Sequence, residues 1–462
     1  MTVPPAAAGR THIAEAVRTM LDGGPGLLLP RERDGEVRPV PAAAHDPAGT
    51  GRSAPGLVLF TSGSTGAPKG VALSREALIA SARATEDLLS GPGLWHLCLP
   101  HNHIAGLQVV LRALLAGAPP TVATPVPRFD AAVFADDVAR TLAAAGDSPV
   151  YTSLVPTQLV RILEVPAAAR ALARTAAVLL GGAAISPRLL ERAADARIPI
   201  VRTYGMSETA GGCVYDGVPF PQVSVRFTAD DRIVLSGPVL ADGYVSVETD
   251  PAAASGAVRV TALAHPDRTP DLSATGDTAP AGGFHGTGAD RLLVTSDLGR
   301  WEADGTRLSV LGRADDIIVT GGENVSPHEV EALLLPLAEP LGFAEVLVTA
   351  RPHPEWGQQL VVLLVPAAGA PQTHAEAAAG SAGTSPPAAA ALEALRQGLR
   401  ARGIRGARVP QAALIVPRLP VRSIGKPDRA AAARLAADAV ESGVVASGVV
   451  GPGAGTGADP EV

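Results

Sequence analysis

The chain has 462 residues, 47% hydrophobic and 18% charged, the balance of a globular protein long enough for two or three domains. A net charge of −7 supplies no basic field for nucleic acid or an acidic membrane, so a polyanionic ligand must be gripped by local cations and backbone N–H groups. The two cysteines, Cys98 and Cys213, make no disulfide framework, and no apolar run reaches the length of a membrane span. These features predict a soluble cytoplasmic protein with no nucleic-acid or membrane partner, and leave a homodimer as one candidate state.

In chain order, Ile13, Val17 and Leu21 have helical spacing, and "GLLLP" suggests a short strand. A Pro-, Ala- and Gly-rich loop follows to about residue 55. From "GLVLF" onward short apolar runs alternate with helical segments: "WHLCLP", "GLQVVLRALLAG", "PVYTSLVP", "AAVLLGG" and "IPIVRTYG". This alternation predicts an α/β fold of layered sheets and helices. Short alternating strands are expected around 231–245, then a surface excursion around one weak strand over 250–292. Strands resume at "LLVTSDLGRWE" and "LSVLGRADDIIV", joined through an "ADG" hairpin turn. A small C-terminal α+β domain is expected over 315–440, with a helix from Pro327, two strands, a linker-like segment near 366–390 and a helix near 388–402. The final residues, 441–462, are expected to be a disordered tail.

Only two lysines, Lys69 and Lys426, stand among the 38 lysines and arginines. Lys69 closes "LFTSGSTGAPKG", where Thr61, Ser62, Gly63, Ser64, Thr65 and Gly66 follow an apolar strand. Such small and hydroxylated residues let successive N–H groups curl around one anion. The pattern GxxxxGK[ST] does not fit: Pro68 occupies the place of its second glycine and Gly70 that of its hydroxyl residue. A P-loop with a hydroxyl on Mg²⁺ is therefore not expected.

"TSGSTGAPKG" resembles the phosphate loop of the adenylate-forming (AMP-binding) superfamily. Further motifs follow in that family's order across roughly residues 55–435. "LLGGAAIS", with Gly181, Gly182 and Ala183, resembles the adenine-side loop. "TYGMSE", with Thr203, Tyr204, Gly205, Met206, Ser207 and Glu208, resembles the nucleotide-binding motif whose hydroxyl touches the α-phosphate and whose glutamate holds Mg²⁺. Asp297 in "TSDLGRW" matches the ribose-binding aspartate. Arg313 can fork onto ribose or phosphate oxygens. Asp315 matches the hinge, and Gly321 and Gly322 a loop that lines the CoA tunnel, leaving room for a thin ligand. Lys426 in "RSIGKPDR" matches the C-terminal catalytic lysine. A point ammonium there would stabilise charge that grows in the adenylation transition state.

The resemblance implies ATP, Mg²⁺ and CoA as cofactor and co-substrates and a small-molecule carboxylic acid as the other substrate. His103 matches a histidine at the floor of the acyl pocket, and Gly211 lies beside that pocket. Metal binding by His101 and His103 would need further His or Cys ligands, and none follows nearby. Arg112 interrupts an apolar helix; it either snorkels or pairs with an acid, or it reads the second carboxylate of a dicarboxylic substrate. This segment and "YGMSETAGGCVYDGVPFPQVSVR" are similar to the o-succinylbenzoate–CoA ligases of menaquinone biosynthesis. Ala210, Gly211 and Gly212 depart from relatives that have a hydroxyl shortly after the glutamate. Another aryl or acyl ligase, a carrier-loading adenylation enzyme and a non-catalytic nucleotide-binding relative are the alternatives.

Overall fold

The computed structural model describes residues 5–30, 36–40, 55–61, 69–126, 128–249, 258–264, 266–275, 282–367, 386–421, 427–441 and 446–447. The chain divides into two compact units, Met1–Val310 and Leu311–Val462.

At the heart of the first unit a seven-stranded sheet runs in the order Val218–Pro219, Gly211–Tyr215, Ile200–Met206, Ala177–Gly181, Val150–Leu154, Leu94–Leu97, Thr121–Val122. Its last five strands are parallel and Gly211–Tyr215 is antiparallel to Ile200–Met206. Helices cover both faces, so the sheet needs near-continuous apolar strands, and Val150–Leu154 is buried throughout. From Leu94–Leu97 the chain first moves to Thr121–Val122 and then returns to Val150–Leu154 on the opposite side. The order of the sheet thus reverses at Leu94–Leu97. In open α/β sheets the crevice at such a reversal, beyond the carboxyl ends of the strands, is where ligands bind.

Local chemistry sets the helix starts. Ser74, Asp130 and Ser186 each accept from backbone N–H groups of the helix they precede, and Pro187 fills a first-turn position that needs no donor. Helix Ile104–Leu115 buries an aliphatic face (Leu107, Val110, Leu111) in a core shared with Ile13, Leu59 and Tyr215.

A second sheet places Lys69–Leu73 between Leu57–Thr61 and Gly243–Thr249. Gly70 is required there, because a Cβ would lie 2.7 Å from the Val245 side chain. A third sheet holds Leu292–Trp301 between Arg232–Ser236 and Gly283–His285. The excursion expected around one weak strand contains two in its described parts, Val258–Ala262 and Gly283–His285. The apolar run "LSVLGRADDIIV" is not one strand. It breaks into Leu308–Arg313, a turn at Ala314–Asp316, and Ile318–Thr320, because two consecutive aspartates favour a turn.

The second unit packs helices Pro327–Ala338 and Pro386–Ala401 on a sheet led by Phe343–His353 and Gly357–Pro366. An ion cluster ties it together. Arg429 contacts Asp316 (3.2 Å), Glu331 (2.8 Å) and His328 (3.2 Å), and it also donates to the Val348 carbonyl. Part of the expected tail is ordered structure: helix Arg429–Glu441 reaches that far, and Ala446–Ser447 pairs with Ala412–Ile415. The rest of the expected tail, and the core of the segment near 366–390, lie outside the described residues. Among the described residues no helix is long and apolar enough to cross a membrane.

Candidate active site

Several of the residues singled out by sequence lie where the parallel strands end. Gly181 is the last residue of Ala177–Gly181, followed by Gly182 and Ala183; Thr203, Tyr204, Gly205 and Met206 finish Ile200–Met206; His103 caps helix Ile104–Leu115 after Leu94–Leu97. Close backbone approach explains two glycines. A Cβ on Gly205 would collide with the Gly211 carbonyl, and one on Gly181 with the Thr203 hydroxyl.

Ser207 and Glu208 form a single 3₁₀ turn with Thr209. The Thr209 hydroxyl accepts from Met206 N–H (2.9 Å) and donates to the Gly211 carbonyl (2.7 Å). Ala210 then adopts a left-handed φ of 52°, uncommon for a residue with a Cβ. Its carbonyl is clamped by Ser81 (3.0 Å) and Gln108 (2.7 Å). Gln108 therefore fixes the wall behind Gly211, where a Cβ would sit 3.2 Å from the Gln108 chain. Ser81, Gln108 and Thr209 carried no sequence signal, since each is a polar residue in an otherwise ordinary segment.

Two carboxylates are held by phenols. The Tyr204 hydroxyl donates to Asp297 Oδ2 at 2.9 Å. Burial and then the Asp297 charge push the Tyr204 phenol well above its usual range, so it stays a donor. The Tyr244 hydroxyl donates to Glu208 Oε1 at 3.2 Å, and burial followed by the Glu208 charge raises it likewise. Lys69 Nζ lies 5.5 Å from the centre of the Tyr244 ring. Thr61 pairs directly with Lys69 across the strands. Ser62, Gly63, Ser64, Thr65 and Gly66 lie outside the described residues, as does Lys426.

Among the described residues no group of three or more His, Cys, Asp or Glu side chains could hold a metal. Glu208 with nucleotide phosphates and water is the donor set that suits Mg²⁺, which keeps several waters and needs few protein ligands.

Arg112 lies beyond His103 on the same helix, about 13 Å further along its axis. It is buried, stacks on Trp95 with its guanidinium carbon 5.3 Å from the ring centre, and donates to the Tyr215 hydroxyl at 3.3 Å. Its Nε has no partner among the described residues, and burial lowers its pKa. The snorkelling alternative is excluded by this burial, and no carboxylate among the described residues pairs with it. The Cys213 thiol is pushed up to about 12 by burial, the state of an inert core residue.

Within the second unit, Arg313 pairs with Asp315 at 2.9 Å and both are about half exposed. Gly321 and Gly322 form the two-residue turn of a hairpin, with Thr320 opposite Glu323. Both have positive φ (59° and 83°), and a Cβ on either would meet nothing within 4 Å. The positive φ of this turn by itself favours glycine at both positions, and the space beside them is open.

The sequence matches the AMP-binding enzyme family over residues 10–247. The chain belongs to this family. It is 40% identical over 380 residues to a probable 2-succinylbenzoate–CoA ligase of Mycobacterium tuberculosis, covering 82% of this chain and 84% of that protein. A 2-succinylbenzoate–CoA ligase of Bacillus cereus is 30% identical over 324 residues, 65% of this chain and 58% of the relative. Among solved structures, ATP-bound MatB from Rhodopseudomonas palustris shares the fold with a TM-score of 0.61 at 22% identity, over 84% of this chain and 69% of that one. o-Succinylbenzoate CoA synthetase (MenE) from Bacillus subtilis, in complex with the acyl-adenylate intermediate OSB-AMP, shares it with a TM-score of 0.56 at 23% identity, over 82% and 68%. This AMP-binding enzyme therefore has the α/β architecture expected from its strand–helix alternation.

Proposed function

We propose that this AMP-binding enzyme is an acid–CoA ligase whose acid is 2-succinylbenzoate, acting in menaquinone biosynthesis. The observation that carries the acid is the 40% identity to a probable 2-succinylbenzoate–CoA ligase over most of both chains. ATP, Mg²⁺ and CoA accompany it.

In the first half-reaction a substrate carboxylate oxygen attacks the α-phosphorus of ATP. The new P–O bond forms as the bond to pyrophosphate breaks, leaving an acyl-adenylate. Ser207 would donate to the α-phosphate, and Thr203, Tyr204, Gly205 and Met206 would line the nucleotide. Asp297, oriented by Tyr204, accepts from the ribose diol. Thr61, the Ser62–Gly66 segment and Lys69 grip the outer phosphates. Glu208 would hold Mg²⁺, which when bound would neutralise phosphate charge. In the second half-reaction the CoA sulfur attacks the acyl carbon, AMP departs with the bonding electron pair, and the thiol proton passes to solvent.

Arg112 is assigned to the carboxylate at the far end of the acid. Its buried charge lacks a carboxylate partner among the described residues, and an isolated buried cation is costly until an anion joins it. His103 and Gly211 shape the nearer part of that pocket. The hinge at Asp315, the thiol path past Gly321 and Gly322, a contact of Arg313 with the nucleotide and the adenylation role of Lys426 belong to the same reading. Cytoplasmic residence and a homodimer go with it, to be checked by fractionation and light scattering.

The test is ATP–pyrophosphate exchange with a panel of carboxylic acids, repeated with CoA. Exchange stimulated by 2-succinylbenzoate, and its thioester with CoA, are expected. Strong exchange with a different acid would replace the substrate. Exchange without thioester would favour a carrier protein as acceptor, and silence with every acid would favour a nucleotide-binding relative without catalysis.

A further inference from the structure

The strand Gly243–Thr249 had no functional reading in the sequence, yet its Tyr244 touches both charged groups on which the phosphate subsite depends. Tyr244 stands opposite Val71 in the antiparallel ladder, which puts it diagonally across from Lys69 on the same face. The ring lies under Lys69 Nζ at 5.5 Å, while its hydroxyl reaches Glu208 Oε1 at 3.2 Å. Phe284 backs the ring at 5.2 Å between centroids, which limits its rotation.

The backbone around Tyr244 is fastened to the same two elements. Ala241 N–H donates to the Glu208 carbonyl (2.8 Å), and Asp242 N–H to the Ala72 carbonyl (2.7 Å). Arg291 holds the segment from a third side, through the Leu240 carbonyl at 3.1 Å and Asp242 at 3.6 Å. A phenol mounted this firmly favours the Glu208 orientation that keeps Oε1 on its hydroxyl. Groups that orient a metal ligand in this way typically govern metal affinity by 10- to 100-fold, roughly, without touching the metal.

We propose that Tyr244 is a positioning residue that couples the two subsites: its hydroxyl aims the Glu208 carboxylate at the divalent cation, and its ring seats Lys69 for the phosphates. The proposal rests on the assignment of Glu208 and Lys69 made for the adenylation reaction. It separates two contributions within one side chain. Tyr244→Phe removes only the hydroxyl and keeps the ring under Lys69 and against Phe284; Tyr244→Leu removes both.

The experiment titrates Mn²⁺ into the full chain with a non-hydrolysable ATP analogue, followed by electron paramagnetic resonance, and measures metal-free analogue affinity separately by calorimetry. Tyr244→Phe should weaken Mn²⁺ by about 10- to 100-fold and leave metal-free nucleotide affinity unchanged. Tyr244→Leu should in addition weaken metal-free nucleotide by about 2- to 30-fold, the range of a cation–π contact. In a Glu208→Ala background, Tyr244→Phe should have no further effect on Mn²⁺, because the oxygen that its hydroxyl orients is already gone. Wild-type Mn²⁺ affinity in Tyr244→Phe, or the same loss with and without Glu208, would overturn the proposal. If wild-type protein binds Mn²⁺ and the analogue but shows no exchange with 2-succinylbenzoate, the acid assignment fails while the titration still decides the role of Tyr244.

Discussion

Arg112 shows how much a single buried charge demands. A guanidinium keeps its charge at neutral pH even with burial lowering its pKa, so a ring face and one phenol leave it under-satisfied. Its motif suggested a carboxylate reader, but equally a surface arginine, and only the packing on Trp95 removed the second option. Replacing it with methionine keeps most of the volume and deletes the charge. Arg112→Met should raise the KM for 2-succinylbenzoate by an amount equivalent to about 1.5–3 kcal/mol, the worth of a hydrogen bond to a charged group. It should hardly change the KM for a monocarboxylic analogue. Steady-state kinetics on both acids decide it, and an equal rise for both would make Arg112 a core residue only. Tyr244 is the opposite case: an aromatic in a short strand, mute in sequence, and given its importance by what stands across the ladder.

At the scale of elements, the site depends on strands that approach more closely than side chains allow. Gly205 lies so near the Gly211 carbonyl that Gly205→Ala must push Ile200–Met206 away from Gly211–Tyr215. A loss of about 1–3 kcal/mol or more is expected, as for overpacking elsewhere, read as a lower urea midpoint together with reduced exchange activity. In the second unit, helix Pro327–Ala338 is joined to Arg429 through Glu331. Burial alone would raise the Glu331 carboxyl, but donation from His328 and Arg429 wins and holds it below its ordinary value of 4.5. The folded state therefore binds fewer protons there than the unfolded chain. The stabilising contribution is complete above the ordinary value and disappears as pH falls through the depressed one. Glu331→Gln should lower the urea midpoint of the second unit at pH 7 and approach wild type in acid. Parallel midpoint curves across pH would contradict that role.

At the scale of the whole molecule, the proposed reaction draws on residues from two compact units. Glu208, Lys69, Tyr204 and Asp297 belong to Met1–Val310, whereas Lys426 belongs to Leu311–Val462. A lysine whose unit is needed only while adenylate forms has a distinct kinetic signature. Lys426→Ala should slow adenylation by about 10²–10³, by analogy with the loss of one oxyanion donor. It should leave conversion of supplied acyl-adenylate to the CoA thioester near wild type. Rapid-quench measurement of each half-reaction separates the two, and equal losses would refute the division.

Sequence by itself determined the reaction family, the order of the motifs that resemble its phosphate, magnesium and ribose elements, and the alternation that makes an α/β fold. These are legible because a phosphate loop, a metal carboxylate and a catalytic lysine need particular residue types at particular spacings, whatever surrounds them. Tertiary structure decided what those residues lean on. It paired Tyr204 with Asp297 and Tyr244 with Glu208, locked Ala210 between Ser81 and Gln108, and showed that Gly321 and Gly322 serve a turn. Such partners are set by sheet order and register. The hydrogen bond from Tyr244 to Glu208 spans 36 positions, a proximity that local spacing cannot encode.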